Sequence, residues 1–197
     1  MSAPLPFTGL LGGSFNPAHA GHVHISLEAR KILGLKKIWW MVSPQNPLKS
    51  ERGMAPFPER FAGAKAITRR QRFIRVSDIE NRIHTRYTID TLRKLRRRFP
   101  RLHFVWLMGA DNLATIHRWQ EWEQIFALVP VLVLDRSPFS HSALRKKAAL
   151  RFAKYRKNPR ALLACANQGL PVWAYTHMRR HPESSTAIRK NLENRQK

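Results

Sequence analysis

Apolar positions along the chain recur with two periods. Six short runs, residues 8–11, 37–42, 72–77, 103–108, 131–135 and 171–175, are mostly apolar at odd and even positions alike. That pattern predicts strands buried on both faces of a parallel sheet. Between the runs, Ile25, Ala29, Ile32 and Leu33 repeat at helical spacing, as do Phe57, Phe61 and Ala64, and Ile89, Leu92, Leu95 and Phe99. Trp119, Trp122 and Phe126 form a fourth stripe. Residues 140–158 read as one basic helix ending before Pro159, because a residue preceding proline disfavours the helical region. A further helical stretch, 161–168, precedes the last strand. Alternating strands and helices predict right-handed crossovers and an α/β architecture: a doubly wound, mainly parallel sheet with helices on both faces. No repeat or low-complexity linker divides the chain, so residues 1–197 are expected to form a single domain.

Charge changes the picture more than hydropathy does. The chain carries 36 Lys and Arg against 12 Asp and Glu, a formal net charge of +24. With 43% hydrophobic and 10% aromatic residues it is no disordered basic tail. It is a folded domain with a positive field, suited to anionic partners. The lone Cys165 excludes an internal disulfide framework and an all-cysteine zinc site. The first residues lack the basic and apolar regions of a leader, and no run approaches the ~20 apolar residues of a spanning helix. A soluble, cytoplasmic protein with no membrane association is expected.

The candidate chemistry lies at residues 12–24, GGSFNPAHAGHVH, directly after the first strand and opening the first helix. Glycine allows a tight turn and a close backbone approach to a ligand. A helix entrance offers free N–H groups and the positive end of a dipole to an anion, and His19 and His22 fall beside it. Ligands of open α/β sheets bind at the carboxyl ends of the strands, so the segment reads as a phosphate cradle with two imidazole donors. A His-x-x-His metal pair is the competing reading, but no nearby Cys or acidic residue completes a ligand set.

The same segment resembles the (T/S)-F-x-P-x-H-x-G-H signature of the nucleotidyltransferase superfamily. Residues 43–49 (SPQNPLK), 87–92 (YTIDTL), 109–119 (GADNLATIHRW) and 184–189 (SSTAIR) narrow the resemblance to the bacterial nicotinate-nucleotide adenylyltransferases. It spans residues 9–192, nearly the whole chain. It implies a Rossmann-like sheet and the joining of ATP and nicotinate mononucleotide to give nicotinate adenine dinucleotide and pyrophosphate, a step of NAD biosynthesis. By the resemblance, Gly13, Ser14, Phe15, His19 and His22 hold the ATP phosphates, and Ser185, Thr186 and Arg189 cap them. His19, His22 and Arg189 carry the catalytic role, and Asp111 receives the adenosine ribose, with Gly109 allowing its close approach. Asn46, Lys49, Thr88 and Trp119 line the mononucleotide site, with Trp119 on the pyridine ring and Trp122 left to the core. Mg²⁺ arrives mainly with ATP, and no protein metal site is expected. Asn16 stands where many relatives carry Asp, so a salt bridge typical of the family is expected to be missing.

Rival readings remain at this stage. The acceptor could be nicotinamide mononucleotide or another phosphoryl compound, although the middle motifs argue against the latter. Residues 93–98 (RKLRRR) and 140–158 supply basic patches that would suit a nucleic-acid-binding module, but no recognition motif accompanies them and no specific nucleic-acid partner is expected. A catalytically silent nucleotide binder is the third alternative, since fold alone does not establish activity. A homo-oligomer is left open.

Overall fold

The structure is a computed structural model that describes residues 6–44, 53–135, 140–178, 185, 188 and 189. Its centre is a seven-stranded sheet of β1 (Phe7–Gly13), β2 (Lys37–Val42), β3 (Ile74–Ser77), β4 (His103–Gly109), β5 (Val131–Asp135), β6 (Arg156–Lys157) and β7 (Trp173–His177). The spatial order is β3-β2-β1-β4-β5-β7-β6, and every pairing is parallel. From β1 the chain winds outward to β3, then crosses back to set β4 on the other side of β1. This reversal is where a crevice opens above the strand ends.

Register explains why the strands are apolar at both parities. Leu10 lies level with Trp39 on β2 and Trp106 on β4. These three share one face with Met41, Met108, Val131, Val133 and Trp173. Their neighbours Leu11, Ile38, Trp40, Val105, Leu107, Leu132 and Ala174 point to the other face. The first face is covered by α4 (Thr88–Arg98), α5 (Ala110–Thr115), α6 (Trp122–Leu128) and α7 (Lys147–Arg151), through Leu92, Leu113, Phe126 and Ala148. The second is covered by α1 (Ala20–Leu33), α2 (Phe57–Thr68) and α8 (Leu162–Ala166), through Ile25, Ala64 and Leu162. A short helix, α3 (Ile79–Arg82), follows β3. A doubly wound Rossmann-like sheet is therefore observed, and it is wholly parallel.

Two predicted helices come out differently. The basic segment 140–158 is not one helix. It runs as a 3₁₀ turn (Ser140–Arg145), α7, a second 3₁₀ turn (Ala153–Tyr155) and the edge strand β6. The break follows from Phe152, whose ring stacks on Phe126 at 4.4 Å and 15° and whose carbonyl accepts a hydrogen bond from the Trp173 indole at 2.8 Å. That carbonyl also accepts the Tyr155 amide at 3.0 Å, closing the second 3₁₀ turn, and Arg156 and Lys157 then pair with β7. The stripe of Trp119, Trp122 and Phe126 also divides. Trp119 closes a 3₁₀ turn with extended dihedrals, and Glu121, at φ 44°, turns the chain into α6, which starts at Trp122.

Candidate functional site

The turn after β1 is built by its own side chains. His19 is the N-cap of α1, and its Nδ1 accepts a hydrogen bond from the Gly21 amide at 3.1 Å. The His22 Nδ1 reaches back to accept from the His19 amide at 3.3 Å. This is a capping box in which two imidazoles replace the usual hydroxyl and carboxylate. It fixes the protonation pattern: a neutral ring that accepts at Nδ1 carries its proton on Nε2. Each histidine thus presents an Nε2–H donor, and the two rings lie 3.9 Å apart. Phe15, fully buried, stacks on Trp40 at 4.9 Å and sits 4.8 Å from the His22 ring. Its φ of 47° bends the loop so that the chain passes from strand to helix within six residues.

The C-terminal segment closes on this turn. The Ser185 hydroxyl donates to the Pro17 carbonyl at 3.0 Å, and the Arg189 guanidinium donates to the Asn16 carbonyl. Residues 168 and 173 positions apart in the chain are therefore joined at one place. A guanidinium has five N–H donors in a planar fork, so one bond to a carbonyl leaves it able to take phosphate oxygens. Thr186 and Ser184 lie outside the described residues.

Asn16 has its own task. Its amide donates to the Gly53 carbonyl at 2.9 Å and its Oδ1 accepts from the Ala55 amide at 3.2 Å. The first bond requires a donor, which Asp lacks when ionised. Beneath it, Arg60 is 3% exposed and donates to the carbonyls of Ala55, Ser14, Ser43 and Pro44, at 2.6–2.9 Å. One buried cation thus ties together the β1 turn, the end of β2 and the start of α2. Burial pushes its pKa below the ordinary arginine value.

Beside the turn, above the ends of β1 and β4, opens a cleft. Gly12, Gly13, Ser14, Ser43, Thr88, Trp106 and Trp119 line it, with Glu80, Arg86 and Arg118 as its charged groups. Gly12 is required here, since a Cβ would lie 2.7 Å from Cη2 of Trp106. Trp106 meets Trp119 edge to face at 6.4 Å, and its indole nitrogen is buried with no partner among the described residues. Glu80 is 7% exposed and bonds to Thr91 and Ser43. Desolvation outweighs those hydrogen bonds and raises its pKa to about 7.

Of the residues expected at the site, Gly13, Ser14, Thr88 and Trp119 meet in this cleft. Phe15, His19, His22, Ser185 and Arg189 gather at the adjoining turn. Gly109 ends β4 as the N-cap of α5, and Asp111 lies exposed in the first turn of that helix. Asn46 and Lys49 lie outside the described residues. Trp122 packs edge-on against Phe126 and Phe152 in the core, apart from Trp119. Arg60, Glu80 and Trp106 were not foreseen. A basic residue in an amphipathic helix, an acid in a polar stretch and a tryptophan in an apolar strand carry no sequence mark of their placement.

Fold and site together define a nucleotide-handling α/β protein whose first-strand turn is closed by its C-terminal segment. Residues 10–191 match the Cytidylyltransferase-like family. A probable nicotinate-nucleotide adenylyltransferase of Methylorubrum extorquens is 48% identical over 181 residues, covering 92% of this chain and 97% of that protein. One from Cereibacter sphaeroides is 50% identical over 181 residues, 92% and 95% of the two chains. In fold, the chain resembles Plasmodium falciparum nicotinic acid mononucleotide adenylyltransferase complexed with NaAD. The TM-score is 0.65 at 20% identity, over 94% of this chain and 83% of that one. The chain belongs to the nicotinate-nucleotide adenylyltransferases of the cytidylyltransferase-like family.

Proposed function

We propose that the protein transfers the adenylyl group of ATP to nicotinate mononucleotide, giving nicotinate adenine dinucleotide and pyrophosphate. The observation that carries this reading is the closure of the first turn by Ser185 and Arg189, which gathers imidazole, guanidinium and backbone donors around one place for a polyanion. An oxygen of the acceptor phosphate bonds to the α-phosphorus of ATP as the bond to the bridging oxygen breaks, and the electron pair leaves with pyrophosphate. A phosphate monoester with its second pKa near 6 is already anionic at neutral pH, so no general base is needed. Catalysis then consists of alignment and neutralisation of charge on the leaving group.

In this reading the Gly13–Phe15 backbone, the two Nε2–H donors and Arg189 hold the triphosphate, with Ser185 and Thr186 beside them. Asp111 receives the ribose, with Gly109 allowing its close approach, and Asn46, Lys49, Thr88 and Trp119 receive the mononucleotide. Mg²⁺, when bound with ATP, would supply positive charge to offset that of the phosphates. Among the described residues, no group of three His, Cys, Asp or Glu could hold a metal ion. Arg86 and Arg118 at the cleft suit an acceptor that bears a carboxylate.

The test supplies purified protein with ATP, Mg²⁺ and either nicotinate or nicotinamide mononucleotide, and follows pyrophosphate and dinucleotide. Release with the nicotinate acceptor is expected. Faster turnover with the amide would transfer the assignment to that substrate, and no release with either would refute adenylyl transfer.

A further inference from the structure

The proposed reaction uses neither of the basic segments noted in the sequence, and the fold places them on either side of α6. Residues 145–160 carry eight Lys and Arg and no acid, and all eight are exposed. They lie on α7, the turns around it and the edge strand β6. Arg96, Arg97 and Arg98 are exposed at the far end of α4. Between the two groups lies α6, reached from one side by Arg96, which donates to the Leu128 carbonyl at 3.3 Å. Two carboxylates occupy that middle ground, and each is clamped by an arginine from one flank. Arg93 holds Glu121 at 2.6 Å, and Arg151 holds Glu123 at 3.2 Å. Arg93 also lies 3.7 Å from Asp90 on its own helix, but the flanking cations outnumber these three acids, and a positive strip runs from α4 across α6 to β6. None of its cations lines the cleft.

We infer that this strip binds the phosphodiester backbone of single-stranded RNA without regard to sequence. Three adjacent elements at ~8–10 Å spacing span on the order of 20 Å, enough for several nucleotides. Reading bases in a duplex groove calls for a helix or ribbon that enters it; α7 has five residues, β6 has two, and α4 brings only the arginines of its last turn, so contact is limited to phosphates. Leu150, at 63%, is the one large apolar side chain strongly exposed on the strip. A protein partner would need an apolar centre, and a membrane-surface segment an apolar face to bury; the strip has neither.

The experiment titrates the full chain into a labelled 20-nucleotide oligouridylate, a 20-base-pair DNA duplex, and vesicles containing phosphatidylserine, at about 50–300 mM KCl. K147E/K154E/K157E is compared with a charge-matched control, K31E/K36E/K37E, whose lysines are exposed around the end of α1 and the start of β2. Circular dichroism melting establishes that both variants fold. Expected is salt-sensitive RNA binding that the strip variant weakens at least tenfold at the lowest salt. Its slope of log K against log salt should flatten by about 2, three charges at ~0.7 each. The control should retain most of the affinity. No RNA binding at 50 mM salt, equal losses in both variants, or tighter binding to duplex or vesicles would overturn the inference.

Discussion

Two buried ionisable residues carry opposite burdens. Arg60 is charged and satisfied: four carbonyls from three chain segments converge on it. Removing it strips all four of a charged donor, and hydrogen bonds to charged groups are worth ~1.5–3 kcal/mol each with poor additivity. Arg60→Ala is expected to cost about 3–5 kcal/mol, in line with breaking other buried charge networks. By calorimetry this is a fall in Tm of roughly 6–20 °C for a chain of this size. A loss under 2 °C would mean that the three segments hold together without it. Glu80 is buried with no cation paired to it among the described residues. Its pKa is about 7 folded against 4.5 in its ordinary state, so the folded protein favours the protonated form. Stability from this group is intact below pH 4.5, falls as pH rises towards 7 and is constant above. A gap of about 2.5 units corresponds to about 3 kcal/mol. Glu80→Gln keeps the hydrogen-bonding shape without the charge. Its Tm advantage over wild type should therefore grow between pH 5 and pH 8, and a constant difference would contradict the assignment.

At the level of elements, what the sequence disclosed divides along physical lines. Strands were legible because both faces are buried, which forces apolar residues at every position, as in Ile38–Met41 and Leu132–Leu134. The first turn was legible because glycines and histidines between a strand and a helix have few structural uses. The basic segment was misread because its helical spacing is real locally and is overruled by distant groups, the Phe126 ring on which Phe152 stacks and the strand β7 with which Arg156 and Lys157 pair. Arg60 and Glu80 escaped notice for the same reason, since only tertiary burial distinguishes them from surface charges. The paired histidines at the start of α1 combine capping with the proposed phosphate contact, and the two uses can be separated by mutation. Loss of a charge-stabilising donor lowers turnover by roughly 10²-fold or more, whereas loss of a cap bond costs only ~1 kcal/mol of stability. His22→Ala should do both. His22→Asn, whose side-chain oxygen can still accept the His19 amide, should recover stability without recovering turnover. Equal recovery of both would reduce His22 to a capping residue.

For the molecule as a whole, the excess of 36 cations over 12 acids sets up a field before any contact is made. The substrates of the proposed reaction are anions, and a cleft whose rim holds Arg86 and Arg118 concentrates that field at its mouth. Such attraction acts on encounter rather than on the bound complex, and salt screens it over a Debye length of ~10 Å at 0.1 M. Between about 30 and 300 mM KCl, kcat/KM for the mononucleotide should therefore fall by roughly five- to tenfold. The turnover number should change less than about twofold, because groups inside the closed site are screened little. The effect requires that encounter limit kcat/KM, which added viscogen tests independently: a rate limited by encounter falls in proportion to viscosity. A viscosity-sensitive kcat/KM that ignores salt would show that the positive field, large as it is, does not reach the cleft.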